Sequence, residues 1–264
     1  MPSPFLVCLD IDGTTVDHDG HLHEPVREAV RAVRDAGHHV VLATGRGLVG
    51  TLPVLDALGI LTGYAVCANG AITARLDPAL ETGYEVVEAV TFDPAPALRA
   101  LHEVFPTALV AVEEIGVGFK VSAPFPDGEL EGTPEVVSYE ELMATPVTRL
   151  TIRDPEGTDE DFLALAERMG LHGVNYAVGW SAWLDVTPEG VSKAAALEAV
   201  RRSLGVEPSL TVAAGDQRND LEMLRWAARG IAMGNAPDEV KAAADEVTGH
   251  VDDHGLAPVL HSLL

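Results

Sequence analysis

The chain has 264 residues and is 47% hydrophobic, enough to bury a sizeable core in one or two domains. Its formal net charge of -24 repels nucleic acid and anionic membrane surfaces and argues against a polyanionic partner. No apolar run reaches the ~18 residues of a membrane span, and no basic stretch followed by an apolar one opens the chain. A cytoplasmic protein with no evident obligate protein partner is expected.

In chain order, Phe5 to Leu9 is a continuous apolar run, the signature of a strand buried on both faces of a parallel sheet. It ends in Asp10-Ile11-Asp12-Gly13-Thr14. The stretch Pro25 to Ala36 places Val26, Ala29, Val30 and Val33 at helical spacing, with Gly37 as a stop. His39 to Ala43 reads as a second strand, closed by Thr44-Gly45-Arg46, and Leu48 to Leu58 as a helix. Tyr64 to Ala68 is a third short strand. The following Asn69-Gly70 reads first as a tight turn and second as a substrate contact. Strand, helix, strand, helix, strand argues for a doubly wound, Rossmann-like parallel sheet with right-handed crossovers.

From Gly83 to Asp185 the rhythm changes to a mixture of Pro-rich pieces, strand-like runs (Leu109 to Val112, Arg149 to Ile152) and helical stretches (Ala97 to Val104, Glu160 to Met169). An inserted α+β domain is expected over 83–185, with the core split between 1–82 and 186–264. The α/β pattern resumes with a helix from Lys193 to Leu204. A strand from Leu210 to Ala214 ends at Gly215-Asp216, a helix begins near Asn219-Asp220, and Gly230 to Met233 is a further short strand. Pro237 to Ala244 and Gly255 to Leu264 read as helices. Cys8 and Cys67, the two cysteines, fall inside core strands as small apolar fillers and supply neither a disulfide framework nor a cysteine-rich metal site.

The polar residues at strand ends and helix starts carry the chemistry. In a parallel sheet these positions share one rim, so Asp10 with Asp12, Thr44 with Arg46, Lys193, and Asp216 with Asn219 and Asp220 are expected to converge. Two carboxylates two residues apart after a buried strand repel each other unless a proton or a cation intervenes. Asp10 and Asp216 together form a hard oxygen site suited to Mg²⁺, which takes few carboxylates along with water and phosphate oxygens. Asp10 is then a candidate nucleophile and Asp12 a candidate acid and base. Thr44 can hold a phosphoryl oxygen. Lys193 lies in the first turn of its helix, where a cation opposes the macrodipole by ~0.3–1 kcal/mol; an anion beside it would offset that cost. His18, His21 and His23 cluster after the first strand, at a spacing that matches no established metal pattern.

These motifs in this order resemble the haloacid dehalogenase-like hydrolase superfamily, in its Cof-type branch with a large α/β cap. The resemblance rests on Asp10-Ile11-Asp12-Gly13-Thr14, Thr44-Gly45-Arg46, Lys193, and Gly215-Asp216 with Asn219-Asp220. It implies Mg²⁺-dependent hydrolysis of phosphomonoesters on small phosphorylated metabolites, sugar phosphates being favoured, through an aspartyl-phosphate intermediate. It assigns Asp10 as nucleophile, Asp12 as acid and base, and Asp10, Asp216 and the Asp12 carbonyl as metal ligands. Thr44, Lys193 and Asn219 match phosphate-side positions, Asp220 an acid that supports the metal, and Gly45, Arg46 and Asn69 substrate-facing positions. Thr15 departs from the aliphatic residue usual there. Two alternatives stand beside hydrolysis: a phosphomutase, and a non-enzymatic module phosphorylated on Asp10.

Overall fold

The computed structural model describes residues 3–154, 174–175 and 182–264. The expected helix from Glu160 to Met169 lies outside them. The chain divides into two compact units. Unit 1 holds Met1–Gly45, Thr51–Glu88 and Ser192–Leu264, and unit 2 holds Arg46–Gly50 and Ala89–Val191.

Unit 1 is built on an eight-stranded sheet. In chain order its strands are β1 (Leu6–Leu9), β2 (His39–Ala43), β3 (Gly63–Cys67), β4 (Ile72–Leu76) and β5 (Tyr84–Ala89), then β12 (Thr211–Gly215), β13 (Arg229–Ala232) and β14 (Glu246–Val247). Across the sheet they lie in the order β14-β13-β12-β1-β2-β3-β4-β5. The central strand β1 pairs in parallel with β12 on one side and β2 on the other. All four β1 residues are buried, which is what a strand covered by helices on both faces requires. From β1 the chain winds outward through β2 and β3, and the later half continues on the opposite side from β12. The end of β1 is therefore a topological switch point, where open α/β sheets leave a crevice for ligands. The sheet is not wholly parallel: β4 turns back antiparallel on β3. The cause is the short connection at Ala68–Gly70, since a parallel return needs a crossover of a dozen residues or more.

Helix α1 (Glu24–Asp35) buries Val26, Ala29, Val30 and Val33, the predicted stripe. Pro25 occupies its first turn, where a missing N–H costs nothing. The helix α2 (Leu48–Ala57) follows β2. Later in the chain, α5 (Lys193–Leu204) is capped by Ser192, whose side chain accepts from the Ala195 N–H, and is ended by Gly205 in the left-handed conformation. With α6 (Leu221–Trp226) and α7 (Asp238–Ala243) it covers one sheet face. There Leu197, Val200, Met223, Leu224 and Val240 pack on Leu6, Cys8, Val41 and Ala213. The last helix, α8 (Leu256–His261), packs with α1. Each large aliphatic side chain so buried contributes ~1.5–3 kcal/mol against the entropy of ordering the chain. Cys8 and Cys67 are buried free thiols.

Unit 2 holds a six-stranded sheet in the order β10-β11-β9-β6-β7-β8. The strands are β6 (Leu109–Glu114), β7 (Gly118–Val121), β8 (Glu135–Val136), β9 (Leu150–Asp154), β10 (Val174–Asn175) and β11 (Ala182–Val186). Helices α3 (Ala95–Val104) and α4 (Tyr139–Leu142) contribute Leu98, Leu101 and Leu142 to a core with Val110, Leu150, Ile152 and Leu184. The units meet at slightly different positions from the expected 82/83 and 185/186. The strand β5 belongs to the unit 1 sheet, and unit 2 extends to Val191 and takes in Arg46–Gly50. No helix among the described residues is long and apolar enough to cross a membrane.

Candidate active site

Asp10 directly follows β1, and its N–H donates to the Ala214 carbonyl at 3.0 Å. That bond extends the β1–β12 pairing to the sheet rim. Asp216 directly follows β12. The two meet: carboxylate oxygens of Asp10, Asp216 and Asp220 lie within 4.8 Å of one another, and all three residues are buried. The chain turns at once after Asp10. Thr15 and Val16 N–H groups both donate to the Ile11 carbonyl at 2.9 Å, and Gly13 takes φ +75°. A β-carbon at Gly13 would collide with the Asp216 carboxylate, so glycine is needed there for backbone conformation and for space alike.

Lys193 supplies the cation of this cluster. Its Nζ donates to Asp10 Oδ1 and to Asp220 Oδ1, both at 2.6 Å, and its side chain is fully buried. The anions that its place in the helix requires are these two carboxylates. The approach depends on Gly70 (φ +104°), where any β-carbon would strike the Ser192 carbonyl at the start of α5. Asp220 also fixes the turn after β12, because its Oδ2 accepts from the Asp216 and Gln217 N–H groups, each at 2.9 Å.

The electrostatics follow from burial. Removal from water, then the neighbouring Asp220, raises the Asp10 carboxyl well above its ordinary range, against the pull of Lys193. Burial followed by Asp220 raises Asp216 to about 6. For Lys193, burial opposes the charge, but Asp10 and Asp220 more than offset it and hold the ammonium protonated. One lysine thus stands against three buried carboxyl groups, and burial disfavours ionisation of Asp10 and Asp216.

The residues expected on the phosphate side, Thr44 and Asn219, lie in unit 1 with Asn69. Thr44 follows β2 and is buried. Its N–H donates to the Val66 carbonyl and its carbonyl accepts from the Asn69 N–H, both at 2.9 Å. Asn219 Nδ2 donates to Asn69 Oδ1 at 2.9 Å, and Asn219 Oδ1 is buried with no hydrogen-bond partner. A β-carbon at Gly45 would stand 3.3 Å from Asn69 Oδ1 and 3.6 Å from Asn219 Nδ2. Ala68 and Asn69 are held at φ 49° and 55°, conformations costing on the order of 1–3 kcal/mol each that persist where surrounding structure imposes them. Asn69-Gly70 is therefore both the tight turn read from the sequence and a neighbour of Asn219. Asp12 is exposed on the turn, bridged to Val16. Arg46 falls in unit 2, where its Nη1 donates to the Gly50 carbonyl at 3.4 Å.

Several contributors were not anticipated. Asn235 Nδ2 donates to the Gly13 carbonyl at 2.8 Å and to Asp216 Oδ2 at 3.1 Å. Gln217 Nε2 also reaches Asp216 Oδ2, and Thr14 Oγ1 reaches Asp216 Oδ1, both at 3.0 Å. Thr15 Oγ1 donates to the Asp10 carbonyl at 2.6 Å, so the departure from an aliphatic residue anchors the strand end. The available signal was Gly234-Asn235-Ala236, another polar residue just past a core strand.

The donors fit a hard divalent cation. They are carboxyl oxygens, burial raises both Asp10 and Asp216 so that a nearby cation would favour their ionised forms, and Asp216 is oriented from three side chains. Mg²⁺ prefers such oxygen ligands. The rim therefore brings together buried carboxylates, a buried ammonium and neighbouring amide and hydroxyl groups, an arrangement compatible with phosphoryl transfer.

Comparison with known proteins agrees. The family model for haloacid dehalogenase-like hydrolases matches residues 7–99 and 130–260. A phosphoglycolate phosphatase of Natronomonas pharaonis is 30% identical, the match covering 92% of this chain and 90% of the relative. The pyridoxal phosphate phosphatase YbhA of Escherichia coli is 29% identical over 98% of both chains. The solved structure of BT4131, described as a subclass IIB sugar phosphatase of the same superfamily, superimposes with a TM-score of 0.82 at 26% identity, covering 98% of this chain and 100% of that one. The non-enzymatic alternative is thereby set aside. The chain belongs to the haloacid dehalogenase-like hydrolases, in their Cof-type branch, and is a phosphatase.

Proposed function

We propose that this phosphatase hydrolyses phosphomonoesters of small metabolites with Mg²⁺, in the cytoplasm, with sugar phosphates as the favoured class. The observation that carries the reading is the meeting of Asp10, Asp216 and Lys193 at the switch point of the sheet. The sugar preference is supported by the likeness to the sugar phosphatase BT4131.

In the proposed mechanism, Asp10 attacks phosphorus through one carboxylate oxygen as the bond from phosphorus to the ester oxygen breaks. Asp12 gives its proton to the departing alkoxide, which leaves as the alcohol. The aspartyl phosphate is then opened by water, which loses a proton to Asp12 as it attacks phosphorus, releasing phosphate and restoring Asp10. Such proton transfer is worth on the order of 10²–10⁴ in rate. Lys193 holds the nucleophile in one orientation and offsets charge on the transferred group. Thr44 and Asn219 bind phosphoryl oxygens, with Asn69 fixing the Asn219 amide. A magnesium ion held by Asp10, Asp216 and the Asp12 carbonyl supplies Lewis-acid stabilisation of the phosphoryl oxygens.

The test is phosphate release across sugar, nucleotide and cofactor phosphates with Mg²⁺ present. Turnover on at least one sugar phosphate, with Asp10→Asn inactive and Asp12→Asn reduced by about 10²-fold or more, is expected. Asp10→Asn protein turning over at the wild-type rate would overturn the assigned nucleophile. An isomerised sugar phosphate in place of free phosphate would make the enzyme a mutase.

A further inference from the structure

The pairing of β1 with β12 stops one bond short of where its register would carry it. Parallel strands bond through evenly spaced N–H and carbonyl groups. Leu9 lies opposite Ala214, and the Asp10 N–H donates to the Ala214 carbonyl at 3.0 Å. Continued by one step, the same register sets the Asp216 N–H on the Asp10 carbonyl. That N–H is turned away and donates to Asp220 Oδ2 at 2.9 Å. The carbonyl of buried Asp10 is thus left without its ladder donor, and a buried backbone acceptor requires another. Thr15 provides it: its Oγ1 donates to that carbonyl at 2.6 Å, from a residue that is itself buried. An aliphatic side chain at this position has no proton to give. The neighbouring Thr14 serves the other strand end, its Oγ1 donating to Asp216 Oδ1 at 3.0 Å.

We propose that Thr15 is a positioning residue for the nucleophile, its hydroxyl standing in for the ladder donor that Asp216 gives up. The inference rests on the reading of Asp10 as nucleophile. Opening the ladder at this point frees the end of β12 to turn under the control of Asp220. The end of β1 does not follow, because Thr15 ties it into its own turn, where the Thr15 N–H is already fixed on the Ile11 carbonyl at 2.9 Å. Pinning the Asp10 carbonyl fixes the last peptide plane of β1, and with it the direction in which the Asp10 side chain leaves the backbone. Lys193 holds Oδ1 at the other end at 2.6 Å, which leaves Oδ2 to attack phosphorus. Thr15 touches no reacting atom and acts through Asp10 alone. Displacing a reacting group by an ångström costs up to about 10² in rate, so a single buried hydroxyl can govern turnover.

The test is steady-state hydrolysis of p-nitrophenyl phosphate by the full chain in saturating Mg²⁺, with a melting curve for each variant. Thr15→Val keeps the side-chain shape and loses the donor. It is expected to lower kcat by about 10- to 100-fold while KM stays near the wild-type value. Thr15→Ser keeps the donor and is expected to restore most of kcat. Thr15→Ala removes the hydroxyl without the branched group and gives the same reading if the valine variant does not fold. A lower Tm with kcat retained in Thr15→Val or Thr15→Ala would make the hydroxyl structural only and overturn the proposal. A loss in Thr15→Ser as deep as in Thr15→Val would overturn it as well. Asp10→Asn, assayed alongside, separates the two readings. Wild-type turnover in Asp10→Asn would remove the nucleophile and the role of Thr15 together, whereas an inactive Asp10→Asn with unchanged kcat in the Thr15 variants would remove the role of Thr15 alone.

Discussion

Lys193 and Asp10 meet at 2.6 Å although 183 residues separate them in the chain. The contact joins the strand end that opens unit 1 to the helix with which the unit resumes after the inserted segment. It also gives the buried Lys193 ammonium an acceptor without which burial would neutralise it.

Replacing Lys193 by Met removes the sole cation bonded to Asp10 and Asp220 among the described residues. We expect kcat to fall by about 10²–10³-fold, and stability without Mg²⁺ to fall by about 3–5 kcal/mol, the range for breaking one side of a buried ion pair. Urea denaturation and phosphate release on the same preparation measure both. A variant retaining near-wild-type kcat would remove Lys193 from the mechanism.

Magnesium is expected to stabilise the folded chain, because the donor set around Asp216 exists only when folded. At a concentration near 100 times Kd the gain is about 2.7 kcal/mol, seen as a higher Tm. Asp216→Asn is expected to abolish that rise. Identical melting curves for the wild type in EDTA and in saturating Mg²⁺ would refute a rim metal site.

Asn235 touches both the Gly13 carbonyl and Asp216 Oδ2, so it orients a proposed metal ligand. Asn235→Ala is predicted to lower Mg²⁺ affinity about 10–100-fold, while saturating Mg²⁺ restores most of kcat. A defect in kcat that added Mg²⁺ leaves unchanged would place Asn235 in another role.

Glu198 offers a pH test remote from the site. Its hydrogen bond with Arg201, then those with Trp226 and Arg202, hold its carboxyl well below the usual range, against a smaller opposing effect of burial. A carboxylate depressed on folding adds stability above its unfolded value near 4.3, and that stability is lost as pH falls through the folded value. Glu198 is half-exposed, so the contribution is about 1 kcal/mol or less. Glu198→Gln is expected to be less stable than wild type at pH 7, with the gap closing below pH ~4. A gap that widens on acidification would contradict the sign.

Much of unit 1 was legible in the chain because its signals are local. The β1 run is apolar at every position, α1 repeats its apolar residues at helical spacing, and Ser192 and Gly205 bracket α5. The mismatch of Lys193 with its helix dipole pointed to an anion before any partner was visible. Other features left weaker traces. Asn235 looks like an ordinary turn residue until the turn is seen to reach Gly13. Thr15 reads as a harmless departure until its hydroxyl is placed on Asp10. The antiparallel return of β4 follows from a four-residue connection in which Ala68 and Asn69 take positive φ.

By itself the sequence determined which residue types stand at the strand ends and that those strands belong in a buried sheet, since periodicity and apolar content are properties of neighbouring residues. Only the tertiary structure decided which ends touch. It brought Asp216 and Asp220 to Asp10 and set His254 against His23 across the fold. Those outcomes depend on strand order and on the packing of helices across the sheet. They are distances between segments far apart in the chain, and no local pattern encodes them.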